Sequence, residues 1–153
     1  MKSTGRTDLA GWASAMAKST NFSLPSSTVP VSDRILAGLQ PYDGLLISVD
    51  EAARRKFCKF PVRYQDSARA LLPHLAKLRH LCQIYSLRSA AHLQRGNTDG
   101  AFANVETSLR LSDGPSSEPL LISQLVRAAC YFLTLHSFWD GMADHQWTDP
   151  QLA

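Results

Sequence analysis

Cysteine is scarce in this 153-residue sequence, which contains only Cys58, Cys82 and Cys130. Three cysteines cannot all pair within one chain, and none of them belongs to a CxxC pair. A disulfide framework and a structural zinc site are therefore not expected. Unpaired thiols are typical of a reducing compartment, which favours a cytoplasmic location.

Long apolar runs are also missing. The longest are a few residues, as in 45–47 and 128–133, whereas a membrane-spanning helix needs about 20. Near the N-terminus Lys2 and Arg6 precede a weakly apolar stretch, but Asp8 interrupts it and no signal-peptide core follows. The sequence predicts no transmembrane segment.

The common motifs of nucleotide-binding and hydrolytic enzymes do not occur: the chain has no GxGxxG, GxxxxGK[ST], HExxH or GxSxG. No catalytic residue, cofactor-binding residue or metal ligand is therefore predicted. This pattern favours a non-enzymatic function, with a helical enzyme of unknown chemistry as an alternative.

A size of 153 residues with 44% hydrophobic residues fits one globular domain with its own core. The net charge of +3 conceals an uneven distribution. Residues 51–80 carry eight basic and two acidic side chains, whereas residues 96–153 carry two basic and seven acidic ones. The chain thus has a basic middle and an acidic C-terminal part, which we expect to face each other within the fold or between copies.

Residues 1–32 are predicted to form a flexible arm. Thr7 or Asp8 is suited to begin a short helix containing Leu9 and Trp12, and residues 19–33 hold five serines, two threonines and two prolines, which is typical of a linker. The helical domain is then expected to occupy residues 33–153.

The first helices of this domain are predicted around Pro41. Ser32 is a candidate N-cap for a short helix that Pro41 ends. The next helix is expected over residues 42–57, with Leu45 and Leu46 inward and residues 54–56 in its last turn, where cations favour the helix dipole.

Apolar spacings of three and four predict a helix over residues 74–95 that ends at Gly96 and Asn97. Thr98 or Asp99 is expected to cap the next helix, and the short turn makes the two helices an antiparallel hairpin. A third long helix is predicted over residues 119–145 with two inward rows in contact with two neighbours. The first row is Leu121, Leu125, Ala128, Phe132, Leu135, Trp139 and Met142, and the second is Ile122, Val126, Ala129, Leu133 and His136.

Thr148, Asp149 and Pro150 have the pattern of a helix start, after which the sequence ends within one turn. We therefore expect the domain to be truncated at its C-terminus, or to be a shortened relative of a longer protein. Part of the face between Phe132 and Met142 is then expected to lack a partner, which favours a homo-oligomer.

The hairpin region resembles a tetratricopeptide (TPR) repeat. Ala101 matches the invariant small position of the second helix, and the other matching positions are Tyr85, Ser89, His92, Val105 and Ser108. Arg88 stands where leucine is usual, and the closing proline is displaced to Pro115. The resemblance implies an all-α fold of antiparallel helical hairpins, stacked as a short α-solenoid-like bundle that presents a groove to a protein or peptide.

A second resemblance covers residues 54–153. The stretches CKFP at 58–61, LLPHLAKLR at 71–79 and LISQLVR at 121–127 are similar to those of a group of uncharacterised bacterial all-helical proteins. Members of that group tend to be longer, often with an N-terminal hydrophobic anchor and further helices. The resemblance implies no particular activity.

Two clusters suggest chemistry but have simpler interpretations. His136, Asp140 and Asp144 share one helical face and could hold a divalent cation, although packing is the more common role of such a histidine. Cys58 and Cys82 lie near basic side chains that lower a thiol pKa, although cysteine is usually a core residue.

The best candidate site is the basic segment, residues 54–64, in which cations alternate with the aromatic residues Phe57, Phe60 and Tyr64. The candidate partner-binding residues are Arg54, Arg55, Lys56, Lys59 and Arg63. Three interpretations stay open: a protein or peptide site, a nucleic-acid or other anionic-partner site, and aromatic residues that only fill a helix junction.

Overall fold

The computed structural model describes residues 8–19, 28–62 and 72–152, and within these ranges the chain is helical and contains no strand. The helices are α1 (Leu9–Ser19), α2 (Val31–Leu39), α3 (Asp43–Ala53), α4 (Pro73–Gln94), α5 (Thr98–Asp113), α6 (Leu121–Ala143) and α7 (Asp149–Leu152). A short 3₁₀ turn, Gln40–Tyr42, joins α2 to α3. No helix of the described ranges has the length and apolar character required to cross a membrane.

The helix predicted after Asp8 is present as α1. The Asp8 carboxylate accepts a hydrogen bond from the Gly11 amide at 3.0 Å, which satisfies one of the free amides at the helix start. Leu9 and Ala13 are buried with Ile35 of α2 and Leu87 of α4. Within the predicted arm, α1 is therefore packed on the domain, and residues 20–27 of the predicted linker lie outside the described residues.

Helix α2 begins earlier than predicted, because Pro30 rather than Ser32 is its N-cap. Pro30 has an extended backbone (ψ 148°), and the hydroxyl-bearing Ser32 is buried inside the helix. Pro41 ends α2 as expected, but the chain continues through the 3₁₀ turn directly into α3.

Helices α4 and α5 form the predicted antiparallel hairpin. Gly96 has a φ of +70°, a left-handed conformation that favours glycine, and Asn97 caps α5 by accepting a hydrogen bond from the Gly100 amide at 2.9 Å. The predicted caps Thr98 and Asp99 are thus already inside the helix, because the Asn97 side chain reaches the amide first. The pairing of the two helices is close enough for Ser89 Oγ to donate to the Ala101 carbonyl at 3.0 Å.

Helix α6 runs alongside both helices of the hairpin. Ser137 Oγ donates to the Ser86 carbonyl of α4 at 3.2 Å, and Thr134 Oγ1 lies 2.7 Å from Ser108 Oγ of α5. The side chains that α6 buries are small: Ser123, Cys130, Thr134, Ser137 and Gly141. The prediction that the first apolar row of α6 points inward is wrong, because this small-residue stripe occupies the inner face. The second row lies inward in part, since Val126 packs against the core that contains Leu46 and Cys82.

The chain turns back after α6 and covers the end of the bundle. Trp147 is buried, its indole N–H donates to the Phe138 carbonyl at 2.8 Å, and its ring contacts Phe102 and Phe138. Gly141 permits this approach, because a Cβ at that position would overlap the Cε2 and Cζ2 atoms of the indole. The helix start predicted at Thr148 to Pro150 is confirmed as α7, which Gln151 links to Asp99 of α5 at 2.9 Å.

Candidate functional site

The basic segment follows α3 instead of extending it. The helix ends at Ala53, so Arg54, Arg55 and Lys56 form an exposed turn rather than the last helical turn that was predicted. Residues 54–59, which follow Ala53, are all exposed, so none of them packs another helical turn on the core, and adjacent like charges disfavour one. Lys59 is exposed in the extended stretch that follows, whereas Arg63 and Tyr64 lie outside the described residues.

The two described aromatic residues of the basic segment differ in their surroundings. Phe60 stacks on His74 of α4, with ring centroids 4.3 Å apart. His74 in turn contacts the buried Glu118 at 2.7 Å, and Glu118 also accepts a hydrogen bond from Ser123. Phe60 therefore does fill a helix junction, but Phe57 is 83% exposed and does not.

A cavity of about 510 Å³ lies between the basic segment and the helices behind it. Its apolar lining comes from three helices and from the basic segment itself. The lining residues are Val49, Ala52 and Ala53 of α3, Leu78 and Leu81 of α4, Leu111 of α5, and Phe60 of the basic segment. Arg55, Lys56 and Phe57 border the same cavity. Arg110 of α5 lines it as well, so the site combines an apolar interior with three cationic side chains.

A second, polar pocket of about 230 Å³ shares Arg110 with the first cavity. Its basic side chains are Arg54, Arg88, His92 and Arg110, and its acidic side chains are Asp50 and Glu106. The acidic groups are engaged: Asp50 accepts hydrogen bonds from Tyr85 at 2.7 Å and Thr107 at 3.1 Å, and Glu106 pairs with Arg110. Sequence reasoning missed this pocket, because its residues come from three helices and no spacing along the chain relates them.

Burial is the main cause of the shifted pKa values of two side chains in and near the polar pocket. Burial, and then the charges of Arg88 and Arg95, hold the pKa of His92 below its ordinary value. Burial and the hydrogen bond to Asp50 raise the pKa of Tyr85, so that its hydroxyl stays a donor that fastens α3 to α4. We infer that this part of the molecule is a structural junction with a cationic surface.

Neither cysteine that the sequence singled out is both reactive and accessible. Cys82 is fully buried, with its Sγ 3.8 Å from the Ser108 carbonyl and from Ser112 Oγ, so the interpretation as a core residue is confirmed. A hydrogen bond with Cys130, and others with Ser108 and Ser112, outweigh burial and lower the pKa of Cys82 to about 7, but no substrate can reach this thiol. Hydrogen bonding to Cys82 and burial raise the pKa of Cys130. Cys58 is exposed, so it is not a core residue. Partial burial and the nearby Glu118 raise the pKa of Cys58, which keeps that thiol protonated.

The predicted cluster on α6 is not arranged as a metal site. His136 lies edge-on to the Trp12 ring of α1, with centroids 6.4 Å apart. Among residues 8–19, 28–62 and 72–152, no group of three or more His, Cys, Asp or Glu side chains is placed to hold a metal ion. His136, Asp140 and Asp144 line none of three cavities, of about 510, 230 and 220 Å³, that lie among the described residues.

The first apolar row of α6 faces outward, and we call it the α6 seam: Leu121, Leu125, Ala128, Phe132, Leu135, Trp139 and Met142. Phe132 is 76% exposed and Trp139 is 69% exposed. The predicted lack of a partner for the face between Phe132 and Met142 is confirmed within the described part of the chain. The stripe of small residues on the opposite face of α6 indicates which face packs inward, and the sequence analysis did not use it.

Comparison of the chain with protein-family models, with curated proteins and with solved structures finds no match.

Proposed function

We propose that this chain is a non-enzymatic, TPR-like helical interaction module that binds an acidic peptide segment of a protein partner at the basic segment. The observation that carries the proposal is the apolar cavity of about 510 Å³ with Arg55 and Lys56 at its edge. Ligand sites are commonly concave, mostly apolar and provided with a few charged groups that orient the ligand.

The packing of the hairpin supports the TPR-like part of the proposal. The small residues expected at close helix contacts, Ser89, Ala101 and Ser108, are completely buried, and the larger Tyr85 and Val105 are buried beside them. Arg88, the main departure from the repeat pattern, borders the polar pocket instead of the core. TPR-like hairpins usually serve as scaffolds that bind peptides, and this analogy supports the functional class.

The chemistry of the cavity indicates the kind of peptide. Leu78, Leu81 and Leu111 offer an apolar surface for an aliphatic or aromatic side chain. Arg55 and Lys56 favour carboxylates on either side of that side chain. Asp113 also borders the cavity, but Arg127 and Tyr131 already donate hydrogen bonds to it at 2.8 and 2.6 Å. The complementary ligand is therefore an acidic segment with one or two apolar anchors.

The test uses a fluorescein-labelled 12-residue peptide of alternating glutamate and leucine, and a lysine and leucine peptide of the same length. We expect the acidic peptide to bind, with an anisotropy change that weakens as salt rises. The double variant Arg55→Glu/Lys56→Glu should weaken binding by roughly tenfold or more, and Ala52→Phe should weaken it by filling the cavity. Lys77→Glu, a charge reversal on the exposed face of α4, is the matched control and should leave binding unchanged.

Equal binding of the two peptides, or no effect of the double variant, would overturn the proposal. A single-stranded oligothymidine serves as the third probe, because Phe57 is exposed among cations and such an arrangement also suits base stacking. Oligothymidine binding that Phe57→Ala removes, without binding of the acidic peptide, would establish the nucleic-acid alternative in its place.

A further inference from the structure

The α6 seam has a regular pattern that is independent of the basic segment. Its seven residues are spaced four and three apart from Leu121 to Met142, which is the heptad spacing of helices that pair along their length. No charged residue interrupts the seam, and Ile122, 49% exposed, widens its N-terminal end. A solvent-facing helix row normally carries polar residues, so this row is built for contact with another helix.

The exposed area of the seam matches what a stable dimer needs. A large apolar or aromatic residue presents about 200 Å² when fully accessible, so the exposed fractions of the six large seam residues and Ile122 correspond to roughly 800 Å². A standard protein interface buries about 800 Å² on each partner. One helix row of this kind therefore suffices for a specific complex with an equal row.

We infer that the α6 seam is the interface of an antiparallel homodimer of this chain. A two-fold axis places the same surface on both partners, so an uncharged apolar row can meet its own copy. In an antiparallel pair, the small Ala128 lies near the middle opposite the bulky Phe132 to Trp139 part of the partner row. A parallel pair would place Trp139 against Trp139 and Ala128 against Ala128, which crowds one layer and leaves a gap in another.

The α6 seam carries no charge, which distinguishes this interface from the proposed peptide site. Burial of apolar surface does not depend on salt in the way that cation and carboxylate pairs do. The dimer should therefore persist at a salt concentration that releases the acidic peptide.

The first experiment measures the association state by sedimentation equilibrium of the full chain at up to about 100 μM, well above the dissociation constant expected for an interface of this size. We expect a dimer, and Phe132→Asp should raise its dissociation constant by at least about 30-fold. Phe57→Asp, the same substitution at another exposed phenylalanine, is the matched control. Circular dichroism and thermal unfolding of each variant verify that it is folded.

A wild-type monomer at the highest concentration, or a Phe132→Asp variant that still dimerises, would overturn the inference. The two proposals fail separately, since Phe132→Asp is expected to leave binding of the acidic peptide unchanged. Conversely, Arg55→Glu/Lys56→Glu is expected to leave the dimer intact.

The second experiment tests the antiparallel orientation with spin labels in a Cys58→Ser background, where the remaining cysteines are buried. Ala129→Cys lies near the middle of α6 and Ala143→Cys lies at its end. Given a rise of 1.5 Å per residue, an antiparallel pair separates the two Ala143 labels by about 30 Å or more but keeps the Ala129 labels within about 20 Å. Short distances at both positions would indicate a parallel pair and would contradict the antiparallel arrangement.

Discussion

Helices α4 and α6 are of nearly equal length, 22 and 23 residues, and both carry apolar rows at helical spacing. Helix α4 directs its large side chains inward, where Leu75, Leu78, Tyr85 and Leu87 are buried. Helix α6 directs its largest side chains outward and buries serine, threonine, cysteine and glycine instead. The direction of a row is therefore not determined by its hydrophobicity alone.

The neighbours of each helix explain the difference. Helix α4 contacts α1, α2, α5 and α6, so large side chains on several faces find apolar partners. The inner face of α6 meets α4 and α5 closely, and the hydroxyls of Thr134 and Ser137 are satisfied there by hydrogen bonds across the contact. Small residues permit a short distance between helix axes. Their position on the inner face leaves the large residues of α6 for another partner.

The largest expected effect comes from the same substitution in the two helices. Leu87→Ala removes a completely buried side chain of α4 and is expected to lower the free energy of unfolding by about 2–5 kcal/mol. Leu125→Ala removes a side chain of α6 that is 57% exposed, and its effect on the monomer should stay within about 0.5 kcal/mol. Urea unfolding at low protein concentration measures both.

Repeating the unfolding measurements at higher protein concentration separates the two substitutions further. If the α6 seam is a dimer interface, the destabilisation caused by Leu125→Ala grows as the concentration rises, whereas the effect of Leu87→Ala does not change with it. Equal effects of the two substitutions at low concentration would contradict the outward orientation of the α6 seam.

Alanine substitution is expected to change the stability of the fold in opposite directions at two helical glycines, by less than Leu87→Ala does. Gly141→Ala places a methyl group in steric overlap with the edge of the Trp147 indole and is expected to destabilise the fold by about 1–3 kcal/mol. A Cβ on Gly44 of α3 meets no atom within 4 Å, so Gly44→Ala should stabilise the fold by about 0.5–1 kcal/mol. Thermal unfolding measures both, and tryptophan emission should shift only for Gly141→Ala, because Trp147 must leave Phe102 and Phe138. An unchanged stability of Gly141→Ala would mean that Trp147 does not cover this glycine in solution.

Much of the helical layout could be predicted from the sequence, because each long helix combines an apolar period with a local end signal. Gly96 and Asn97 ended α4 where expected, and Pro150 marked the start of α7. The errors concern caps and the end of α3, where one hydrogen bond or one buried residue decides the boundary. Asn97 capped α5 by such a bond to Gly100.

The site was less accessible to prediction from sequence. The basic segment was found because its cations are consecutive, but its apolar cavity depends on residues such as Val49, Leu78 and Leu111 that only the fold brings together. The orientation of the α6 seam also depends on the fold, since a helix with two apolar rows and one stripe of small residues is compatible with either face inward. Packing against α4 and α5 resolves that choice.

The smallest expected effect concerns the polar link between the hairpin and α6. Partial burial of Asp113 opposes its ionisation, but hydrogen bonds from Tyr131 and Arg127 outweigh burial and lower its pKa. A carboxyl group whose pKa is lower in the folded state contributes stability above its unfolded pKa of about 4, and this contribution is lost as the pH falls through the folded pKa. The ion pair is largely exposed, so Asp113→Asn should destabilise the protein by at most about 1 kcal/mol at pH 7 and by less in acid.

Arg127→Gln/Tyr131→Phe provides the matched background for this last measurement, because it removes both donors to Asp113 while keeping side chains of similar size. In that background, Asp113→Asn is expected to have little effect on unfolding at either pH, so that the double-mutant cycle isolates the link. A pH-dependent effect of Asp113→Asn that persists without both donors would show that other groups on α5 or α6 lower the pKa of Asp113. The polar contact at the edge of α6 would then be weaker than its geometry indicates, and the small-residue stripe alone would hold α6 against the hairpin.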